Sequence, residues 1–141
     1  MSIVTRTYEV SADDFSRAGE ASGAIKRTLK GLGFDPELIR RVAIATYEAE
    51  INMVIHANGG VITATISPAS ITIVFADRGP GIPNVDLAMQ EGWSTATENV
   101  RELGFGAGMG LPNIKKYTDF FDLQTELGIG TTLTIRVDVS Q

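Results

Sequence analysis

The chain has 141 residues, 43% of them hydrophobic and 21% charged, with a net charge of −5, one histidine and no cysteine. These totals exclude a disulfide framework, a thiolate metal site and a multi-histidine metal centre, and a Ser-His-Asp triad would have to be built on His56. The acidic balance argues against a nucleic-acid partner, and no apolar run reaches the roughly 20 residues that span a bilayer, so neither nucleic acid nor membrane is expected as a partner.

The N-terminal residues lack the apolar core of a signal peptide, which predicts a cytoplasmic protein, and the length suits one domain over residues 1–141. Residues Ile3 to Val10 alternate and are rich in β-branched side chains, which predicts a first strand. Ser11 to Asp14 supplies helix caps, and a helix is expected from about Asp13 to Leu32, closed by Gly31 and Gly33. Gly19 and Gly23 weaken its interior, or allow a neighbouring helix to pack closely.

Asp35-Pro36-Glu37 reads as a helix start, with an N-cap aspartate, a proline at the first position and an acid in the first turn. The helix continues to about His56, with a stripe through Ile44, Ala45, Glu48, Ile51, Asn52 and Ile55. Glu48 and Asn52 sit one turn apart in that stripe, and Glu50, roughly 200° round from Glu48, falls on the outer side. Burying an unpaired carboxylate and amide costs several kcal/mol. The pair therefore either borders solvent or looks into a polar pocket.

Asn58-Gly59-Gly60 is a turn, and Val61 to Ser67 and Ser70 to Ala76 form a hairpin whose second strand reads as central. Asp77-Arg78-Gly79-Pro80-Gly81 then holds a carboxylate at a sharp strand end. From Asn84 to Leu103 the pattern is irregular and contains Trp93, the only tryptophan. With the glycines after it, this makes a connection whose length suggests a functional lid, about 84–110. Gly104, Gly106, Gly108 and Gly110 alternate before a helix beginning with Pro112. Such a loop is suited to phosphate, although glycines alone fit a plain surface loop equally. Strands follow over about Asp119 to Glu126 and Thr131 to Val139, joined at Leu127-Gly128-Ile129-Gly130. The order β-α-α-β-β-lid-α-β-β predicts a two-layer α/β sandwich, with a mixed, mainly antiparallel sheet and helices on one face.

Four boxes stand in a specific order: Glu48-x-x-x-Asn52, Asp77-x-Gly79-x-Gly81, the glycine run, and Gly128-x-Gly130-Thr131-Thr132. Together they resemble the ATP-binding GHKL (Bergerat) fold of gyrase-type topoisomerases, histidine kinases and anti-sigma-factor serine kinases. Neither a Walker loop nor protein-kinase motifs occur. The run Gly108-Met109-Gly110-Leu111-Pro112-Asn113-Ile114-Lys115-Lys116 is most similar to the switch serine/threonine kinases of the stressosome, of RsbT type.

The resemblance implies a serine/threonine protein kinase that uses ATP and Mg²⁺. Its substrate would be a small anti-sigma antagonist of STAS type, and phosphorylation would switch binding partners in sigma-factor control. It extends to a downstream phosphatase or sigma-factor regulator as further partner, and to a homodimer. Residue by residue, Asn52 would hold Mg²⁺ and Glu48 would take the acceptor hydroxyl's proton. Asp77 would accept from the adenine amine, with Gly79 and Gly81 admitting the base and Thr131 or Thr132 supporting it. Gly104, Gly106, Gly108, Met109, Gly110 and Leu111 would wrap the phosphates in a lid that is poorly ordered without nucleotide. The family often has a base before the second glycine box. Here Arg101 is the nearest candidate for the γ-phosphate, while Lys115 and Lys116, on the following helix, fit a solvated face equally well. His56 is expected to serve packing or the helix dipole. Two other readings stand beside this one: a nucleotide-gated anti-sigma or regulator-binding module with little turnover, and a detached histidine-kinase catalytic domain.

Overall fold

A computed structural model describes residues 3–11, 17–56, 59–79, 81, 89 and 110–140. Five strands form one sheet in the order β1-β2-β3-β5-β4, from β1 (Val4–Val10), β2 (Gly60–Ile66), β3 (Ser70–Asp77), β4 (Phe120–Glu126) and β5 (Gly130–Asp138). Helices α1 (Glu20–Gly31), α2 (Pro36–His56) and α3 (Gly110–Lys116) complete the described elements. Every described strand pairing is antiparallel, so the parallel component that a mixed sheet would need is not among them.

The sheet has one covered face. Ile62, Ala64 and Ile66 pair across to Phe75, Ile73 and Ile71, and these to Leu133, Ile135 and Val137, giving a continuous apolar surface under the helices. The alternate positions, Thr63, Thr65, Thr72 and Val74 among them, are only half-buried. Strand β3 is central, as its apolar run suggested, yet it is buried on one side only. Ile25 and Leu29 of α1 are essentially inaccessible, and each buried side chain of this size contributes about 1.5–3 kcal/mol.

Helix α1 begins at Glu20, later than the predicted Asp13, because Gly19 stands at its N-cap with φ +92°. Gly19 is thus a helix boundary and not an interior glycine. A Cβ there would lie 3.1 Å from the Tyr47 ring of α2, so Gly19 does permit close approach, whereas Gly23 faces only Arg27 of its own helix. Helix α2 starts where the sequence places it: the Asp35 carboxylate accepts from Glu37 N–H at 3.0 Å, and Ile39 N–H bonds to the Asp35 carbonyl. Helix α3 opens at Gly110, two residues before Pro112, which still leaves the proline in the first turn, where its missing N–H breaks no helical bond.

Helix α2 is the centre of the helical layer, with α1 packed on one flank and α3 on the other. Its burial therefore wraps far beyond one stripe and takes in Val42, Ala45, Thr46, Ala49, Glu50, Met53 and Val54. Arg41 ties α2 to the end of α3, donating to the Tyr117 carbonyl at 3.2 Å and to the Asp119 carboxylate at 3.2 Å. No helix of the described residues is long and apolar enough to cross a membrane.

Candidate active site at the end of the central strand

Strand β3 ends on Asp77, which follows Ile71, Ile73 and Phe75 on the helix-facing side of the sheet. Its Oδ1 accepts two backbone N–H groups, from Gly79 at 2.9 Å and from Thr131 at 3.0 Å. The first closes an Asx-type turn, and the second fastens the carboxylate to the start of β5, 54 residues later. Among the described residues both bonds fall on Oδ1 and none on Oδ2.

Two glycines make this corner possible. A Cβ on Gly130 would collide with the Asp77 carbonyl, and one on Gly60 would collide with the Ala76 carbonyl and lie 2.7 Å from Met53 Cε. Gly130 has φ +154° and Gly81 has φ +82°, with Gly81 seated against the backbone of Glu126 and Leu127. Met53 therefore brings the second half of α2 directly over the Gly60–Asp77 pair, the end of the sheet where the Asp77 carboxylate is held.

On α2, Arg41, Glu48 and Asn52 are seven and four residues apart, so they share one side of the helix within about 40°. Arg41 grips the end of α3, hence Glu48 and Asn52 face the same flank. Both are half-buried, and neither side chain makes a hydrogen bond among the described residues. Burial pushes the Glu48 carboxyl above the usual glutamate range. An unpaired carboxylate one turn from an unpaired amide, on a half-buried flank, is suited to a polar ligand and not to packing.

The remaining expected residues divide into three groups. Thr131 faces the helix side and helps, but through its backbone N–H; its hydroxyl pairs with Thr125 at 3.0 Å. Thr132 pairs with Ala76 and Gln124 on the opposite face of the sheet, so its side chain does not join Asp77; strand alternation separates it from Thr131. Gly79 is buried at the turn, and Gly110 and Leu111 open α3, with Leu111 packed on the core. Arg101, Gly104, Gly106, Gly108, Met109, Trp93, most of the 84–110 segment and the His56 side chain lie outside the described residues. The expectation about lid order falls there too.

Glu50 corrects the sequence reading outright. It is 3% exposed rather than on the outer side, and its two carboxylate oxygens accept from Ala21 N–H at 3.1 Å and Ser22 N–H at 2.9 Å. The signal for it was the glycine at the α1 N-cap, which leaves first-turn amides without a side chain of their own to cap them. Among the described residues, no group of three or more acidic or histidine side chains could hold a metal. A site that offers one amide oxygen and relies on ligand oxygens for the rest fits Mg²⁺, which usually takes one or two protein ligands.

The chain matches the model of the histidine kinase-like ATPase domain over residues 11–137. This chain belongs to that family, and ATP binding goes with it. The serine/threonine-protein kinase RsbT of Bacillus subtilis is 31% identical over 112 residues, covering 77% of this chain and 78% of the relative. The anti-sigma F factor of Clostridium acetobutylicum is 32% identical over 109 residues, covering 72% and 73%. In three dimensions the chain is similar to the RsbU and RsbW domains of Rv1364c from Mycobacterium tuberculosis, with TM-score 0.62, 19% identity and coverage of 96% of this chain but 33% of that one. The mycobacterial sensor histidine kinase MprB gives TM-score 0.52 at 16% identity, over 96% and 98%. These two structural likenesses speak for the fold alone.

Proposed function

We propose that the chain is an ATP- and Mg²⁺-dependent serine/threonine protein kinase, whose substrate is a small STAS-type anti-sigma antagonist. Phosphorylation changes which partner is held, in a cytoplasmic sigma-factor pathway of the stressosome kind. The observation that carries this reading is the pair Glu48 and Asn52, one turn apart, half-buried and without hydrogen-bond partners among the described residues, on a helix that ends over Asp77. Similarity to a named serine/threonine kinase supports it.

In this reading residues 1–141 act as one ATP-binding kinase domain, with a lid over about 84–110. Asp77 Oδ2 accepts from the adenine amine, while Gly79 and Thr131 hold Oδ1. The backbone of Gly104, Gly106, Gly108, Met109, Gly110 and Leu111 lines the phosphates, and Arg101 is a candidate cation for the γ-phosphate. Asn52 holds Mg²⁺ through its amide oxygen, and the ion neutralises phosphate charge when bound. Glu48 accepts the proton of the serine or threonine hydroxyl; its midpoint, raised by burial, brings it closer to the operating pH, where general bases work best. Alignment and charge neutralisation do the rest of phosphoryl transfer.

The test is to mix the chain with STAS-type antagonists and labelled ATP. Acid-stable transfer to the antagonist, lost in Glu48→Ala, is expected; no transfer to any antagonist, or equal transfer by the variant, defeats the kinase reading. Likeness to anti-sigma F factors favours a second one, in which the nucleotide gates binding of a sigma factor. Sigma-factor affinity that differs between ATP and ADP, without turnover, would support it.

A further inference from the structure

The mechanism leaves one buried carboxylate unused. Glu50 lies two residues from Glu48 and two from Asn52, and at 3.6 residues per turn it points about 160° away from each. Both of its oxygens are engaged by the first-turn N–H groups of α1, at 3.1 and 2.9 Å. Those amides have no cap of their own, since Gly19 offers no side chain, and the positive end of the α1 dipole favours the anion. Three residues before Glu50, the Tyr47 ring lies against Gly19, so close that a Cβ there would be 3.1 Å away. The start of α1 thus grips α2 at two points, on the side opposite Glu48 and Asn52.

We propose that Glu50 is a positioning residue: by bonding to the start of α1 it fixes the rotation of α2 about its own axis, and so sets where Glu48 and Asn52 point. The lever is direct. A side-chain tip about 6 Å from the helix axis moves about 1 Å for a rotation of about 10°. A displacement of 1 Å at a reacting group costs up to about 100-fold in rate. Among the described residues no other side chain on this side of α2 is seen to make a hydrogen bond to α1: Val54 is apolar, and the Thr46 hydroxyl has no hydrogen-bond partner. Packing alone tolerates small rotations, whereas a bidentate carboxylate on two adjacent amides does not.

This inference rests on the kinase reading for its activity readout, so the experiment also carries one that does not depend on it. Glu50→Gln keeps the shape, but its NH₂ confronts one of the two amides; Glu50→Ala removes both bonds. Val137→Ala, in the core at the end of β5 away from Asp77, serves as a control of reduced stability. In each full-length variant the ¹³C carboxyl titration of Glu48 is followed, together with the kinetics of phosphate transfer from ATP to a STAS-type antagonist and thermal stability. The expected result for Glu50→Gln is a Glu48 midpoint displaced toward the ordinary glutamate value and kcat lower by about tenfold, with KM for ATP within about threefold. The control should lose stability without either change. A Glu48 titration in Glu50→Gln equal to wild type overturns the proposal, as does the same displacement in Val137→Ala. If Glu50→Ala does not fold, Glu50→Gln decides. If the wild type transfers no phosphate from ATP to any STAS-type antagonist, the kinase reading fails while the titration still judges Glu50.

Discussion

The two sides of α2 carry the same chemistry to opposite ends. On one side Glu50 is more deeply buried than Glu48, yet both of its oxygens are bonded to backbone amides. On the other, Glu48 and Asn52 are half-buried with no bond made among the described residues. If Glu48 acts as proposed, depth of burial therefore does not separate a functional carboxylate from a structural one. Satisfaction does: a polar group that the fold has already paired is holding the fold, and one left unpaired on a half-covered flank is available to a ligand.

The largest effect expected from breaking this contrast is on Glu48. Glu48→Gln should reduce phosphoryl transfer by about 10²–10⁴-fold, measured with labelled ATP, while ATP affinity falls little. Equal losses in rate and affinity would instead assign Glu48 to nucleotide binding. Next comes Gly130→Ala, whose new methyl meets the Asp77 carbonyl. It should cost about 1–3 kcal/mol in denaturant unfolding, and it should weaken ATP binding because the bonded Asp77 oxygen moves with that backbone.

A smaller effect concerns pH. The Glu48 midpoint is raised in the folded chain, so the fold favours its protonated form. That contribution is fully present below the unfolded midpoint near 4.5 and is lost as pH rises through the folded one. Glu48→Gln should therefore be slightly more stable than wild type at neutral pH, with the gain disappearing below about pH 4. Asp119 works in the opposite sense. The Asp138 N–H, followed by Arg41, lowers its carboxyl below the usual range, so its stabilisation is present above the unfolded value of 3.8 and is lost as pH falls through the depressed midpoint. Arg41→Ala should flatten that acid limb in unfolding curves. The smallest change is Thr46→Val. The Thr46 hydroxyl is buried with no hydrogen-bond partner, and replacing it should raise stability by up to about 1 kcal/mol in thermal unfolding with ATP turnover unchanged.

Much of this was legible from local signals. Asp35-Pro36-Glu37 marked the start of α2, the alternation in 60–77 marked β2 and β3, and the four spaced boxes marked the family. What was not legible came from long-range neighbours. A helical wheel assumes one buried side, but α2 is flanked on both sides, which is why Glu50 was read as outward. Gly19 stood inside the expected helix as either a weakness or a point of close packing, and the Tyr47 ring that decides for close packing comes 28 residues later. Thr131 and Thr132 were equivalent as a sequence pair; only the face of β5 separates them, and the contribution of Thr131 turned out to be an amide that every non-proline residue has.

The sheet order has a consequence for synthesis. Strand β5 is the last described strand in sequence, yet it sits between β3 and β4. Until residues 130–138 are made, the Ser70–Asp77 edge has no partner on that side, and Ile71, Ile73 and Phe75 lie along it. An unfilled apolar edge of this kind is a template for wrong pairing. A nascent or truncated chain without β5 is thus exposed to aggregation, and it also lacks the amide that anchors Asp77. On the proposed reading of Asp77, nucleotide binding would therefore report that β5 has joined the sheet.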